Sequence, residues 1–94
     1  MTRSKRDANE KAILRDLTLL GVWYRQMERE AGFDLLVGFR GKLYLGEIKD
    51  PKQPPSKRAL TPNEQITAAE LALVEIEYPV WETLEDVLRT IGAG

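Results

Sequence analysis

Two carboxylates and a lysine, Asp34, Glu47 and Lys49, have the types and spacing for metal-assisted chemistry in this chain. Leu43, Leu45, Glu47 and Lys49 take alternate positions of one predicted strand, so they share a face that begins apolar and ends in a carboxylate and an ammonium. Asp34 stands in a second strand-like run, Phe33 to Phe39, joined to the first by Arg40-Gly41. A two-residue turn there makes a hairpin, pairs Phe39 with Lys42 and, counted outward, sets Asp34 directly opposite Glu47. Directly opposed side chains have Cβ atoms roughly 5 Å apart, and like charges so placed repel unless a cation lies between them. A divalent metal supplies that cation. Mg²⁺ takes hard oxygen ligands, commonly one or two carboxylates, and leaves its other positions to water and substrate phosphates.

An acid two residues before a lysine is a weak pattern, and it occurs twice, as Glu47-Ile48-Lys49 and as Asp50-Pro51-Lys52. The second has proline at its centre and lies in a predicted loop, so its side chains are not held at strand spacing. The first ends a strand. The competing reading of Glu47 with Lys49 is a solvated surface pair contributing at most about 1 kcal/mol. Leu43 and Leu45 on the same face, with Leu36 opposite Leu45, place the pair instead at the margin of a core, where pKa values and metal affinity can be tuned.

Other residues join them as candidates. Glu10 falls on the same side of a predicted helix as Ile13 and Leu14, where a buried charge needs a partner; alternatively it merely occupies the first turn, which the helix dipole favours for acids. Gln65 lies near the start of a later helix, in line with Ala69 and Ala72, either reaching toward a site or resting at the helix margin. Lys52, Lys57 and Arg58 make a basic stretch that either holds phosphates or is a solvated connection.

The elements that must position these groups follow from periodicity. Ile13, Leu14, Leu17 and Leu20 form one stripe of a helix running from about Asp7 to Leu20 and stopped by Gly21. Val22 to Met27 reads as a strand, followed by the hairpin over 33 to 49. Asp50 to Ser56 holds three prolines and is expected to form no regular element. Thr61-Pro62-Asn63-Glu64 is a capping box with proline at the first helical position. The helix it opens is expected to bury Ile66, Ala69, Ala72, Leu73 and Leu71 and to run to about Val74. Ile76, Tyr78 and Val80 then alternate with Glu75, Glu77 and Pro79 as an edge strand. Thr83 to Ile91 closes the chain as a helix with Leu84, Val87, Leu88 and Ile91 on one side. The reading is a single domain over residues 1–94, mixed α and β, with a central mixed sheet.

Composition excludes much chemistry. The chain has no cysteine and no histidine, which removes disulfides, thiolate nucleophiles and the commonest general base. Its only serines, Ser4 and Ser56, fall in predicted loops, so a Ser-His-Asp arrangement is impossible. A net charge of −1 argues against coating nucleic acid through a wide basic surface, yet Lys49, Lys52, Lys57 and Arg58 cluster while Glu75, Glu77, Glu82, Glu85 and Asp86 gather elsewhere. No apolar run approaches the roughly 20 residues of a membrane span, and the basic start Met1 to Arg6 leads into an amphipathic segment rather than a signal peptide. The expected location is the cytoplasm. At 94 residues a core is adequate but not generous, so dimerisation would add useful burial.

Together, a helix bearing Glu10, then Asp34, Glu47-Ile48-Lys49 and a helix with Gln65 resemble the PD-(D/E)xK nuclease superfamily, and more narrowly its small, phage-associated stand-alone VRR-NUC domains. The stretches carrying the likeness are Phe33-Asp34-Leu35-Leu36-Val37-Gly38, Gly46-Glu47-Ile48-Lys49-Asp50, Leu60-Thr61-Pro62-Asn63-Glu64-Gln65 and Pro79-Val80-Trp81-Glu82. Phe33 departs from the namesake motif, which has proline before the aspartate. The resemblance implies a restriction-endonuclease-like αβββαβ core with a C-terminal helix. It also implies Mg²⁺ or Mn²⁺ held by Asp34, Glu47 and the main-chain carbonyl of Ile48, with Glu10 contributing directly or through water. Lys49 would orient the attacking water or stabilise phosphate charge, and Gln65 would match the family's glutamine. Its further implications are a homodimeric endodeoxyribonuclease selective for branched DNA such as four-way junctions, working in a bacterial host or phage-infected cell. An inactive nucleic-acid-binding module and a protein-interaction domain are the alternatives.

Overall fold

The stripe Ile13, Leu14 and Leu17 lies on one side of helix α1 (Ala8–Leu19) and is buried, as its spacing predicts. The computed structural model describes residues 7–93; Ser4 and the basic start of the chain lie outside the described residues. After α1, Gly21 takes a left-handed conformation, φ +75°, and the chain enters strand β1 (Trp23–Gln26). A turn of 3₁₀ helix, Arg29–Ala31, leads to the hairpin of β2 (Leu35–Phe39) and β3 (Lys42–Ile48). Its turn is the expected Arg40-Gly41 pair, with φ of 51° and 81°, the doubly positive geometry that suits the twist of the flanking strands. The register is the expected one: Phe39 faces Lys42, Leu36 faces Leu45 and Leu35 faces Gly46.

Four strands form one mixed sheet in the order β1-β2-β3-β4, antiparallel except that the edge strand β4 (Val80–Trp81) runs parallel to β3. The strand expected from Ile76 starts only at Val80. Pro79 has no N–H to give a ladder and contributes only its carbonyl, which accepts from Glu47 N–H at 3.0 Å. The proline-rich connection also differs from expectation. Pro55 opens a one-turn helix, α2 (Pro55–Arg58), because proline at the first helical position sacrifices no hydrogen bond.

One face of the sheet is closed. Leu35, Val37 and Ile48 pack there against Ile13, Leu14 and Leu17 of α1 and against Val87 and Ile91 of α4 (Leu84–Ile91). Trp81 joins this core, its indole N–H donating to Thr90 Oγ1 at 2.8 Å. Gly46 is required beneath it, since a Cβ on Gly46 would lie 2.5 Å from the Trp81 ring.

The opposite face carries Trp23, Arg25, Leu36, Gly38, Leu43, Leu45 and Glu47, by alternation from the same register. Helix α3 (Pro62–Leu73) has its full capping box but buries none of its residues. Of the residues expected on its buried side, only Leu71 is half-buried. Ile66 is 58% and Leu73 86% exposed, and Ala69 and Ala72 are exposed as well; the half-buried side is Glu64, Thr67, Ala68 and Leu71. Among the described residues no helix is long and apolar enough to cross a membrane.

Candidate active site

β3 delivers Glu47 and Lys49 to the end of the sheet, and the start of β2 delivers Asp34 beside them. Asp34 N–H donates to Gly46 O at 3.1 Å, and its carboxylate Oδ2 accepts from Ile48 N–H at 2.8 Å. The aspartate therefore leans onto the Glu47-Ile48 peptide, which fixes both carboxyls at one strand end. Lys49 Nζ lies 3.6 Å from Glu47 Oε2 and 3.1 Å from Glu64 Oε1, and all three groups are largely withdrawn from solvent. Asn9 of α1 clamps the main chain behind them, donating its amide to Lys49 O at 3.0 Å and to Glu82 O at 2.8 Å.

Burial is the first cause that pushes the Glu47 carboxyl up, to about 10, reinforced by hydrogen bonding to Glu64 and Asp34 and by their charges. Carboxyls hydrogen-bonded to one another share protons rather than all ionise, and here the proton stays on the most deeply buried, Glu47. Lys49 is raised as well: burial alone would lower it, but the hydrogen bond to Glu64 and the charges of Glu64, Glu47 and Asp7 outweigh that. Glu64 is lowered despite its burial, because Glu47, Thr61 N–H and Lys49 all hydrogen-bond to it. The ammonium is thus retained and Glu64 is its counter-ion, while the Glu47 carboxyl is held in its neutral form.

Two residues emerge here that sequence reasoning assigned to other tasks. Glu64 reads as the third residue of a capping box, and its Oε1 does accept from Thr61 N–H at 2.9 Å, but the same oxygen takes Lys49. Tyr78 reads as an apolar strand residue; its hydroxyl donates to Gly32 O and lies 3.3 Å from Glu47 Oε1. Burial, then the nearby charges of Glu47 and Glu64, push that hydroxyl well above the usual phenol range. Asp7, at the start of α1, stands near enough to Lys49, Asp34, Asp50 and Glu64 to feel their charges, though burial is the chief cause that raises it. The only hint in the sequence was that Asp7 precedes Glu10 on the same helix.

The remaining candidates stand in different surroundings. Glu10 is buried, at 2% exposure, and accepts from Gln26 Nε2 at 3.1 Å. Gln65 is exposed, its amide donating to Leu60 O at 2.9 Å; one residue along a helix is a turn of about 100°, so the side that presents Glu64 to Lys49 carries Gln65 away. Lys52 and Lys57 are exposed, whereas Arg58 pairs with Glu82 at 3.6 Å.

Among the described residues no group of three acidic side chains is arranged to ligate a metal. The pair Asp34 and Glu47 nevertheless suits Mg²⁺, which is content with one or two carboxylates when water and phosphate complete its shell. Burial beside two other carboxyls disfavours negative charge on Glu47, and a divalent cation there would favour it. No protein-family profile, curated protein or solved structure matches this chain.

Proposed function

We propose that the protein is a metal-dependent endodeoxyribonuclease of the PD-(D/E)xK type, acting as a homodimer on branched DNA such as four-way junctions. The observation that carries this reading is the convergence at one strand end of the Asp34 and Glu47 carboxyls and the Lys49 ammonium, with Glu47 raised to about 10 by its burial and by the neighbouring carboxyls. With the 3₁₀ turn and the one-turn α2 set aside, the order helix, three strands, helix, strand and closing helix supports a restriction-endonuclease-like core.

In this reading Asp34, Glu47 and the Ile48 main-chain carbonyl would hold Mg²⁺ or Mn²⁺, with Glu10 contributing directly or through water. When bound, such an ion lowers the pKa of water and polarises the phosphoryl oxygen. The chain's own groups do the rest. Lys49 keeps its proton and offers fixed positive charge to the water or to the phosphate. Glu64 anchors that ammonium, and Tyr78 restrains one Glu47 oxygen. Among the described residues Lys52 and Lys57 have no carboxylate partner within ion-pair distance, and both are suited to DNA phosphates. Support for the dimer comes from the uncovered apolar residues Ile66, Leu73, Val74 and Ile76 along and after α3.

The test incubates labelled four-way junction, flap and linear duplex DNA with the protein in Mg²⁺, Mn²⁺ or EDTA. Metal-dependent cutting of a branched substrate that is lost in both Asp34→Ala and Lys49→Ala is the expected result. Cutting that survives both substitutions means the site is wrongly assigned. Folded protein that cuts nothing leaves the binding-module and interaction readings.

A further inference from the structure

At the other end of the open sheet face lies a cluster that the chemistry above does not use. Trp23 is 47% exposed and Leu43 68%, and a shallow cleft of about 460 Å³ lies among Trp23, Phe39, Arg40, Lys42 and Leu43. The Trp23 ring rests on Gly38, where a Cβ would sit 3.2 Å from ring carbon Cε3, so glycine at this position lets the indole lie flat on the strand. Arg25 stands 5.3 Å from the Trp23 ring centroid, and Arg40 at the hairpin turn stands 4.9 Å from the Phe39 ring.

Charge decides what such a surface fits. Strands β1, β2 and β3 and the hairpin turn carry a single carboxylate, Glu47 of the active site, while their cations Arg25, Arg40 and Lys42 all lie in the half nearer the turn or on the edge strand β1. In a chain of net charge −1 this is a segregated basic and aromatic surface. An apolar protein partner would gain nothing from Arg25 beside the indole and Arg40 at the rim of the cleft, while alternation turns Lys42 toward the other face of the sheet. A polyanion with flat π faces uses both features, because base–aromatic stacking and arginine contacts work together on unpaired strands.

We infer that the Trp23 platform binds an unpaired nucleotide of the DNA strand that enters the active site, its base stacked on the indole and its phosphates met by Arg25 and Arg40. This deepens the nuclease reading and rests on it for the strand's destination. The distance follows from the register. Trp23 faces Gly38, four residues along β2 from Asp34, and a strand rises about 3.3 Å per residue, so platform and site are roughly 13 Å apart. A stacked DNA strand advances about 3.4 Å per nucleotide, which places the bound base about four nucleotides from the cut. The proteins' substrates are then branches that expose single-stranded nucleotides near the junction, in preference to fully paired duplex.

The experiment reads binding apart from cleavage. Trp81 is buried at 1% exposure, so acrylamide reaches the emission of Trp23 alone. In EDTA, a 12-nucleotide single strand and a junction with a single-stranded arm should quench that emission and shield it from acrylamide, and a blunt duplex should do neither. Trp23→Ala should weaken single-strand binding by roughly ten- to a hundredfold while Trp23→Phe restores most of it. Arg25→Ala with Arg40→Ala, both on the surface, should flatten the dependence of log affinity on log salt by about 1.4 in slope. Emission and affinity that are indifferent to DNA and to all of these substitutions overturn the inference. So does a fall in the molecular mass of DNA-free protein on Trp23→Ala, which would show a second copy covering the platform. Cleavage of the four-way junction in Mn²⁺ is scored in parallel with wild-type protein. Cleavage without quenching removes only the platform, and quenching without cleavage removes the nuclease reading while the nucleotide surface stands.

Discussion

The two faces of the sheet are built from similar amounts of apolar sequence and use it in opposite ways. On the closed face, α1 and α4 lay Leu17, Val87 and Ile91 onto Leu35, Val37 and Ile48, and every one of these is nearly or wholly buried. On the open face, Trp23, Leu43 and the α3 stripe of Ile66 and Leu73 stay exposed, while the groups withdrawn from solvent are Glu47 and Lys49. Stability is concentrated on one side and charged chemistry on the other. The difference teaches that apolar periodicity reveals a stripe without saying what covers it.

Truncation is the strongest way to break that contrast. Leu17→Ala leaves a cavity among fully buried neighbours and should lower the unfolding free energy by about 2–5 kcal/mol, read from urea denaturation. Leu73→Ala removes an exposed side chain and should change it by less than about 0.5 kcal/mol at low protein concentration. Equal losses from the two would show that α3 is integral to the core. Glycine substitution sharpens the same point with a smaller effect. Gly46→Ala drives a methyl group to 2.5 Å from the Trp81 ring, which is fully enclosed, so a loss of about 1–3 kcal/mol is expected. Gly38→Ala meets Trp23 at 3.2 Å, but that ring can swing outward into solvent, and the loss should be well below that of Gly46→Ala.

The buried charge of the open face gives a pH signature. Glu47 is raised in the folded, metal-free protein to about 10 from the 4.5 of an unperturbed glutamate. The folded state therefore holds a proton that the unfolded chain gives up, and the stabilising effect is complete below pH 4.5 and is lost as pH rises toward 10. In EDTA the Tm should fall between pH 5 and 9. Glu47→Gln, which cannot ionise, should flatten that slope and stabilise the metal-free protein at pH 8 by at least about 1.4 kcal/mol, the equivalent of one pKa unit. A slope unchanged by the substitution would place the titrating group elsewhere.

How much of this was legible in the sequence depended on whether local rules settle the question. The hairpin register followed from Arg40-Gly41 because a two-residue turn fixes every pair beyond it, and so the approach of Asp34 to Glu47 was legible too. The capping boxes at Thr61 and at Thr83 are equally local. The buried side of α3 was not, because an alanine-rich helix offers two plausible stripes and only tertiary packing chooses between them. That choice carried a functional consequence: turning Leu71 and Thr67 inward brought Glu64 to Lys49 and left Gln65 outside. Tyr78 and Asn9 were hidden for a related reason, since each acts through a partner distant in sequence.

The finest distinction between the faces is carried by two caps of the same design. Thr61 caps α3 and Thr83 caps α4, each accepting from the third helical N–H while an acid returns the favour. Either threonine replaced by alanine should cost its helix about 1 kcal/mol. On α4 that cost falls on a helix whose Val87 and Ile91 are core residues, so it should appear in full in the global unfolding free energy. On α3 no residue is buried, and the helix can fray while the sheet remains intact. Thr61→Ala should thus leave the urea midpoint nearly unchanged and instead speed hydrogen exchange at amides 64–67. Because Glu64 Oε1 holds both the Thr61 N–H and Lys49 Nζ, the frayed turn should also release the lysine and reduce metal-dependent cleavage. If Thr61→Ala lowers the urea midpoint as much as Thr83→Ala does, the open face is as firmly joined to the core as the closed one and the contrast fails.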